Sequence, residues 1–398
     1  MDELPSRSLS CKMRIMAPTQ KELAKLAGVS SGTVSNVISG STKVGERSRQ
    51  KVLEASRILN YQPNLIARSL RTNRTQTLGM VVPDITIPFF PKLIRGAESA
   101  ARERGYFLIV LDSEGSYVRE AAMMALLRAQ RVEGILLVTA SGQSASSESA
   151  PSVTSNPPVV CLDRLPANLD IDSVCVDDCG AAEMAIDHLI ERGHTQIAVI
   201  TGPLTLQNEQ ERLRGYQKAL ERAGIPVQRS LIWKGSFEQE HVADLCRAGM
   251  SLPDARPSAL FATNGVTGVA ALRSIYSLGL STPQDLSFVS FDELMTEDFF
   301  RPEITCIVQP TFEMGSCAVE VLLKRLAAGE YSEIPHERVR LPAMLSIRES
   351  SLAPGKAASG QKRFTKEQTK HTKAVASSRD ESLKNSGRAV AAGAEVTW

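Results

Sequence analysis

Short apolar segments alternate with helix-like segments along most of the chain, and this alternation restricts the fold more than any other feature. Eight segments have the composition of buried strands: LGMVVPD, FLIVLDS, GILLVTA, VVCLDR, SVCVDD, QIAVITG, ALFATN and LSFVSFD. Helical stretches such as FFPKLIRGAESAARERG and QERLRGYQKALERAG lie between them. Strands that alternate with helices in this way form parallel sheets covered by helices on both faces. Residues 77–352 are therefore predicted to be an α/β core, with either one large sheet or two smaller ones.

A short helical region precedes this core. In TQKELAKLAG, Leu23 and Leu26 recur at helical spacing, and Thr19 with Glu22 fits a capping box that begins the helix. Gly28 can adopt the left-handed conformation that ends it, and GVSSGTVSNVISG continues with a second helical pattern. Two short helices joined by a tight glycine-containing turn form the helix-turn-helix, whose second helix enters the DNA major groove. An ordinary helical hairpin has the same pattern and is the alternative.

Changes of composition divide the chain into four parts. A third helix predicted at roughly 46–59 completes a small all-α domain at 17–62. Residues 63–76 form a short basic helical stretch and a polar linker, and 77–352 form the α/β core. Residues 353–398 lack apolar periodicity and are predicted to be a disordered basic tail. That tail is either a solvated appendage or a further contact with nucleic acid.

The charge of the chain is distributed unevenly. Residues 1–76 carry a net charge of +8, residues 77–352 carry −11, and residues 353–398 carry +5. A basic head on an acidic body is typical of a protein whose head binds a polyanion and whose body does not. Nucleic acid is the first candidate for that polyanion, and an anionic membrane surface is the second.

Several classes of protein are disfavoured by the composition. The sequence has no run of about 18 apolar residues that would span a bilayer and no apolar core of a secretory signal. Its seven cysteines are odd in number and scattered, which is typical of reduced thiols in the cytoplasm. Cys175 and Cys179 have no nearby partners that would complete a zinc site. We expect a cytoplasmic, nucleoid-associated protein without a metal, a cofactor or a membrane contact.

An enzyme is also disfavoured. The segment VITGPLTLQ is a strand followed by a loop, but it fits neither the dinucleotide-binding nor the phosphate-loop glycine pattern. No local motif supports a Ser/His/Asp or Cys/His constellation, so no catalytic residue is predicted.

Head and body together resemble a known family. TQKELAKLAGVSSGTVSNVISG, YQPNLIARSLRTNRTQTLG, CLDR, HLIERGHTQIAVITGP, ERLRGY, FATN, SFD and VQP occur in the order of the lactose/galactose repressor (LacI/GalR) family of bacterial transcription regulators. The resemblance covers about residues 17–352. It implies a core of periplasmic-binding-protein type, with two Rossmann-like subdomains and a small ligand between them. The lobes it implies are about 77–176 with 309–338, and 177–308 with 339–350.

The resemblance also implies which residues contact DNA. A recognition helix needs short polar side chains at the end that enters the groove. Ser31, Gly32 and Asn36 match the principal base-contacting positions, and Asn36 is the main candidate because asparagine can form two hydrogen bonds with adenine. Gly32 has no side chain to offer, which leaves Thr33, Ser35 and Ser31 for bases or phosphate.

The stretch after the head resembles the hinge helix of the same family. Leu70 matches a leucine wedge that enters the minor groove and unstacks a base step. Asn64, Ala67 and Arg68 accompany it in matching positions. For a leucine alone, simple amphipathic packing is the alternative.

The ligand positions implied by the resemblance are aromatic or polar. Phe89 and Phe90 match an aromatic pair that lines the cleft, and Phe237 matches an aromatic residue of the opposite lobe. The polar positions are Asp163, Arg164, Asn264, Asp292 and Gln309. Amides, carboxylates and arginine each bind two hydroxyls, and aromatic rings cover a sugar face, so these residues suit a hydroxyl-rich ligand.

Three positions depart from the family pattern. Ile87 stands where sugar binders often have asparagine, and Gly265 follows Asn264 where aspartate is common. Gln210 stands where an arginine often holds the ligand, with Arg212 nearby. The effector is therefore expected to differ from an ordinary pentose or galactoside.

These observations predict a sequence-specific, repressor-type transcriptional regulator. It is expected to bind double-stranded DNA at a palindromic operator as a homodimer, under the control of a small sugar-like effector in the core cleft. The alternative is a regulator with a degenerate pocket that acts without a ligand or answers to a partner protein.

Overall fold

The architecture is given by a computed structural model that describes residues 18–38, 40–62, 74–140, 156–166, 170–251, 256–294, 301–328 and 335–352. An all-α head precedes an α/β core with two separate sheets, so the second of the two arrangements left open by the sequence is the observed one. Within these ranges no helix is long and apolar enough to cross a membrane.

The head contains three helices: α1 (Gln20–Ala27), α2 (Ser31–Ile38) and α3 (Glu46–Leu59). The predicted capping box begins α1, since the Glu22 N–H donates to the Thr19 hydroxyl at 3.3 Å and the Thr19 N–H donates to the Glu22 carboxylate at 2.7 Å. Leu23 of α1 packs in a small core with residues of the other two helices. Leu26, expected on the same apolar side, is instead 49% exposed.

The core contains two sheets of six strands with equivalent strand orders. The first sheet has the order β11-β5-β4-β3-β1-β2, and its strands are all parallel: β1 (Thr77–Val82), β2 (Phe107–Asp112), β3 (Gly134–Leu137), β4 (Val159–Leu162), β5 (Ser173–Val176) and β11 (Arg338–Leu341). The second has the order β12-β10-β9-β8-β6-β7: β6 (Ile197–Thr201), β7 (Ile232–Lys234), β8 (Ala259–Ala262), β9 (Ser287–Phe291), β10 (Thr305–Val308) and β12 (Met344–Ser346). Only β12 is antiparallel to its neighbour among these pairs. Strands such as β3 and β9 are buried at every residue, which explains their continuous apolar runs.

Seven helices cover the sheets in the described part of the core: α4 (Phe89–Glu103), α5 (Tyr117–Ala129), α6 (Asp178–Glu191), α7 (Gln207–Arg222), α8 (Gln239–Met250), α9 (Gly265–Ser277) and α10 (Thr311–Ala328). Glycines allow two of the helix pairs to approach closely. A Cβ atom on Gly96 of α4 would collide with the backbone carbonyl of Phe312 in α10. A Cβ atom on Gly215 of α7 would likewise collide with the carbonyl of Cys179 in α6. Each unit of the core thus contains one close pair of helices.

The chain divides into two compact units, and their limits differ from the predicted lobes at two points. The last crossing lies after Ala343 and not near 338, because Arg338–Leu341 pairs in register with Ser173–Val176 of the first sheet. Leu204–Glu211, expected in the second lobe, clusters with the first unit. These two corrections concern segments whose partners are distant in sequence.

A buried ion pair fixes α10 against the start of β5. Arg325 donates two hydrogen bonds of 2.8 Å to the two carboxylate oxygens of Asp172, and the Glu337 N–H donates a third at 2.7 Å. The Asp172 side chain is only 3% exposed. Burial alone would raise the pKa of Asp172, but the hydrogen bonds from Arg325 and Glu337 hold it below its ordinary value. The carboxylate is therefore charged at neutral pH.

Candidate DNA-binding and effector-binding sites

The amino-terminal end of α2 is fixed by Ser30. Its hydroxyl accepts a hydrogen bond from the Thr33 N–H at 3.0 Å and lies 2.9 Å from the Thr33 hydroxyl oxygen. Between the helices Gly28 has a φ of 65°, the left-handed conformation that ends α1. The Gln20 side chain of α1 donates to the carbonyl of Ser31 at 3.0 Å. These contacts hold α1 and α2 together as one helix-turn-helix.

The predicted DNA-contacting residues of α2 are exposed or half-buried, whereas its apolar residues face the core of the head. Those that are exposed are Ser31, Gly32 and Asn36. Those that are half-buried are Thr33 and Ser35. Val34 and Val37 are buried in the core of the head, as their spacing predicted. The exposed side of α2 therefore carries small and neutral polar groups, which suit close approach to base edges.

The exposed surface of the head carries several basic residues. Exposed basic residues of the described head are Lys21, Lys25, Lys43, Arg47, Lys51 and Arg57. Such residues neutralise DNA phosphates independently of sequence. The remaining predicted DNA contacts lie outside the described residues: Asn64, Ala67, Arg68 and Leu70.

In the first unit, most of the predicted effector residues lie near the carboxyl ends of the strands. Phe89 and Phe90 begin α4 and pack edge to face, with ring centroids 5.2 Å apart. Phe90 is buried at 1% exposure, whereas Phe89 is half-buried. Asp163 and Arg164 follow β4, and the Arg164 Nε lies 3.6 Å from a carboxylate oxygen of Asp163. Phe90 thus belongs to the core of this unit, and Phe89 is the more accessible ring.

Two glutamines complete the predicted set of the first unit, and they differ in environment. Gln309 follows β10 and is buried. Gln210 is exposed, and its amide donates to the carbonyl of Leu204 at 2.7 Å, one turn before α7. The Asn208 amide, two residues earlier, donates to the Asp163 carboxylate at 3.5 Å. Gln210 is therefore held by its own turn.

In the second unit, an arginine and an asparagine are anchored at the carboxyl ends of neighbouring strands. Arg212 is 2% exposed; it donates to the carbonyl of Thr263 at 2.8 Å, and its guanidinium carbon lies 3.7 Å from the centroid of the Phe291 ring. Asn264 caps α9 by accepting the Thr267 N–H at 2.9 Å. The carboxyl edge is where open parallel sheets bind ligands.

The last two predicted residues of the second unit are only partly covered. Asp292 follows β9 and is half-buried, and Phe237 lies in the turn between β7 and α8, also half-buried. The predicted residues of the second unit thus comprise a guanidinium group, an amide, a carboxylate and an aromatic ring, from Arg212, Asn264, Asp292 and Phe237.

Two aspartates occupy equivalent places in the two sheets. Asp163 follows β4 with a φ of 58°, and Asp292 follows β9 with a φ of 74°. The strands β4 and β9 hold the same position in the two strand orders. A residue other than glycine in the left-handed region costs about 1–3 kcal/mol and is concentrated at functional sites. The two aspartates thus occupy equivalent positions and share the same uncommon backbone conformation.

Glu120 is a further buried carboxylate of the first unit, and it was not predicted from the sequence. Its side chain is 2% exposed, and it accepts hydrogen bonds from the Thr139 hydroxyl at 3.2 Å and from the Ala140 N–H at 2.5 Å. Burial raises the pKa of Glu120, while those hydrogen bonds and the charge of Arg164 act in the opposite direction. Glu120, Met124 and Leu127 are buried at helical spacing in α5, and this pattern is the signal that places the carboxylate on the buried side.

Comparison with known proteins assigns the chain to a family. The model described as bacterial regulatory proteins, lacI family, matches residues 19–64, and a periplasmic binding protein-like domain matches residues 186–351. The chain is 35% identical over 336 residues to the ribose operon repressor of Escherichia coli (strain K12), an alignment that covers 84% of this chain and 99% of the relative. The chain belongs to the lacI family of bacterial regulatory proteins. It is therefore a DNA-binding transcriptional regulator of the repressor type.

Solved structures of the lacI family share this fold. The lac repressor dimer bound to operator and the anti-inducer ONPF matches with a TM-score of 0.74 and 25% identity, covering 85% of this chain and all of that chain (100%). A complex of the transcriptional regulator CelR with cellobiose matches with a TM-score of 0.62 and 30% identity, covering 84% of this chain and 99% of that chain. The α/β core with two sheets of equivalent strand order is the architecture of this lacI-family member.

Proposed function

We propose that this regulator represses transcription in the bacterial cytoplasm by binding a palindromic operator as a homodimer, and that a carbohydrate effector controls this binding. The DNA-binding proposal is supported chiefly by the exposed side of α2. Asn36 is exposed on this helix, whereas Val34 and Val37 are buried, and the head as a whole is net positive. The relative solved as a dimer on its operator supports the same assembly here.

The hinge is the proposed link between the two functions. Residues 64–71 amount to about two helical turns, which is too short for a stable isolated helix in water. We propose that Leu70 enters the minor groove, with Asn64, Ala67 and Arg68 beside it. An apolar wedge between base steps costs about a few kcal/mol of unstacking, which the contacts of the bent DNA offset. Effector binding would act by favouring or preventing this hinge structure.

The chemistry of the two polar sets supports a carbohydrate effector. Carboxylates, an amide and an arginine fork bind vicinal hydroxyls, and half-buried Phe89 and Phe237 offer aromatic faces. One relative is named as the repressor of the ribose operon, and a second was solved as a complex with cellobiose. Gln210 is exposed, whereas Arg212, two residues later, is a buried arginine. We therefore assign the arginine contact with the effector to Arg212 and assign no contact to Gln210.

Binding-site selection from a random DNA pool tests the DNA-binding proposal. The wild-type chain should enrich a palindromic site. Asn36→Ala removes the amide that can pair with adenine, so it should lose preference at one position in each half-site. The expected loss is about 1–3 kcal/mol of discrimination at that position.

The matched control is Gln50→Ala, which truncates an exposed neutral side chain on α3 of the same head. This variant should enrich the wild-type site with wild-type affinity. If Asn36→Ala enriches the same site at the same affinity, then α2 does not contact bases through Asn36.

A further inference from the structure

A cavity of about 430 Å³ lies at the amino edge of the first sheet, the edge opposite to the predicted effector residues. Its walls come from the residues that precede β1, from the end of α5 and from the segments that precede β3 and β4. The polar groups that line it include Arg74, Arg128, Arg131, Glu133 and Asn156. None of these residues belongs to the proposed operator or effector sites.

The lining is positively charged. Three arginines face one carboxylate, that of Glu133. The Glu133 carboxylate accepts hydrogen bonds from the Gln76 N–H at 2.7 Å and from the Tyr106 hydroxyl at 3.1 Å, and the Arg74 Nε lies 4.0 Å away. The lining is thus net positive, whereas residues 77–352 as a whole carry a net charge of −11. Concave surfaces of one charge concentrate ions of the other.

The helix dipole explains only part of this arrangement. Arg128 lies in the last turn of α5, where a cation is favourable. Arg74 and Arg131 lie outside any helix. Arg131 has a φ of 56°, and its carbonyl accepts the Thr75 hydroxyl at 2.8 Å. The left-handed turn thus places a second arginine at the cavity while its backbone holds the segment that enters β1.

We propose that this cavity binds a phosphate group. Guanidinium groups bind phosphate oxygens through pairs of parallel hydrogen bonds, and the Asn156 amide is a further donor. The phosphate can come from a small phosphorylated molecule or from the backbone of bound DNA. Arg74 and Thr75 line the cavity, and Gln76 contacts the lining residue Glu133. These three residues are the end of the linker that joins the DNA-binding head to the core. An occupant of the cavity would therefore contact this linker. This site goes beyond the proposed carbohydrate site and does not depend on it.

Calorimetric titration of the full-length chain with inorganic phosphate, against sodium chloride of equal ionic strength, tests the site. Arg131→Asn removes a charge while keeping a residue that tolerates positive φ, and Arg128→Gln removes the helical charge. Each should weaken phosphate binding at least fivefold. The control is Arg119→Gln, since Arg119 is a half-exposed residue at the other end of α5, paired with Glu114. The proposal is overturned if no phosphate binds to the wild type, or if all four proteins bind it equally.

The salt dependence of operator binding separates the two sources of phosphate. If a DNA phosphate occupies the cavity, Arg131→Asn should reduce the slope of log K against log salt by about 1, while Arg119→Gln leaves it unchanged. If a small phosphorylated molecule is the occupant, the slope of Arg131→Asn stays at its wild-type value although phosphate binding is weakened. Circular dichroism of the variants in chloride checks that each is folded.

Discussion

Replacing Arg212 by methionine should weaken effector binding by at least 100-fold while operator binding is retained. Arg212 is buried, stacked on the Phe291 ring at 3.7 Å and anchored to the Thr263 carbonyl by one of its nitrogens. A hydrogen bond from a charged group contributes about 1.5–3 kcal/mol, so the loss of the two hydrogen bonds that we propose between Arg212 and the effector would exceed two orders of magnitude in affinity. Methionine keeps an unbranched side chain that can fill the space. Calorimetry, with the carbohydrate identified by a thermal-shift screen of sugars and sugar phosphates, measures the change.

Two further variants separate this role from a loss of folding. Arg212→Lys keeps the charge but not the planar fork, and it should bind the carbohydrate more weakly than the wild type. Arg214→Gln changes an exposed arginine of the same helix and should bind it normally. A variant Arg212→Met that binds the carbohydrate as the wild type does would remove Arg212 from the effector site.

Arg325→Ala should lower the free energy of unfolding by about 3–5 kcal/mol. The substitution leaves the Asp172 carboxylate buried without its bidentate partner, and breaking a buried pair from one side costs this amount. The pKa of Asp172 in the folded protein lies below its ordinary value. The contribution of the pair is therefore complete above the ordinary pKa of aspartate, and it is lost as the pH falls through the lowered folded value. Urea unfolding at pH 7, followed by circular dichroism, measures the difference.

The matched control for this prediction is Arg338→Ala. Arg338 pairs with Asp170 at 2.8 Å, but both side chains are more than half exposed. Solvent-exposed pairs contribute about 0–1 kcal/mol, so this variant should remain close to the wild type in stability. Equal stability losses in the two variants would show that burial does not determine the contribution of these ion pairs.

Much of the fold follows from local patterns. The strands of the α/β core are covered on both faces, so they occur as continuous apolar runs that are recognisable without a structure. The capping box of Thr19 and Glu22 is local in the same sense. Strand β11 gave no such signal, because RVRL alternates charged with apolar residues and lies at an edge of the first sheet. Its partner, β5, is distant in sequence, so this pairing is visible only in the assembled sheet.

The sequence predicted which residues belong to the candidate effector site, but not which of their side chains are buried. Gln210 and Arg212 are two residues apart on α7, so they point about 200° apart around the helix. Family resemblance selects both, but only the packed structure shows that Arg212 is buried and Gln210 exposed. Glu120 was missed because a carboxylate in the first turn of a helix is ordinarily an exposed, dipole-favoured residue. Its partners at the end of β3 are visible only once the sheet is assembled.

We propose that carbohydrate binding in the core controls operator binding by the head. The most direct test is the affinity of the full-length chain for its selected operator, measured by fluorescence anisotropy at fixed salt, without carbohydrate and at saturation. A coupling free energy of about 1–3 kcal/mol predicts a change of about 5- to 150-fold, and this change should be reduced in Leu70→Ala. The same operator affinity with and without a carbohydrate shown to saturate the core would contradict the account.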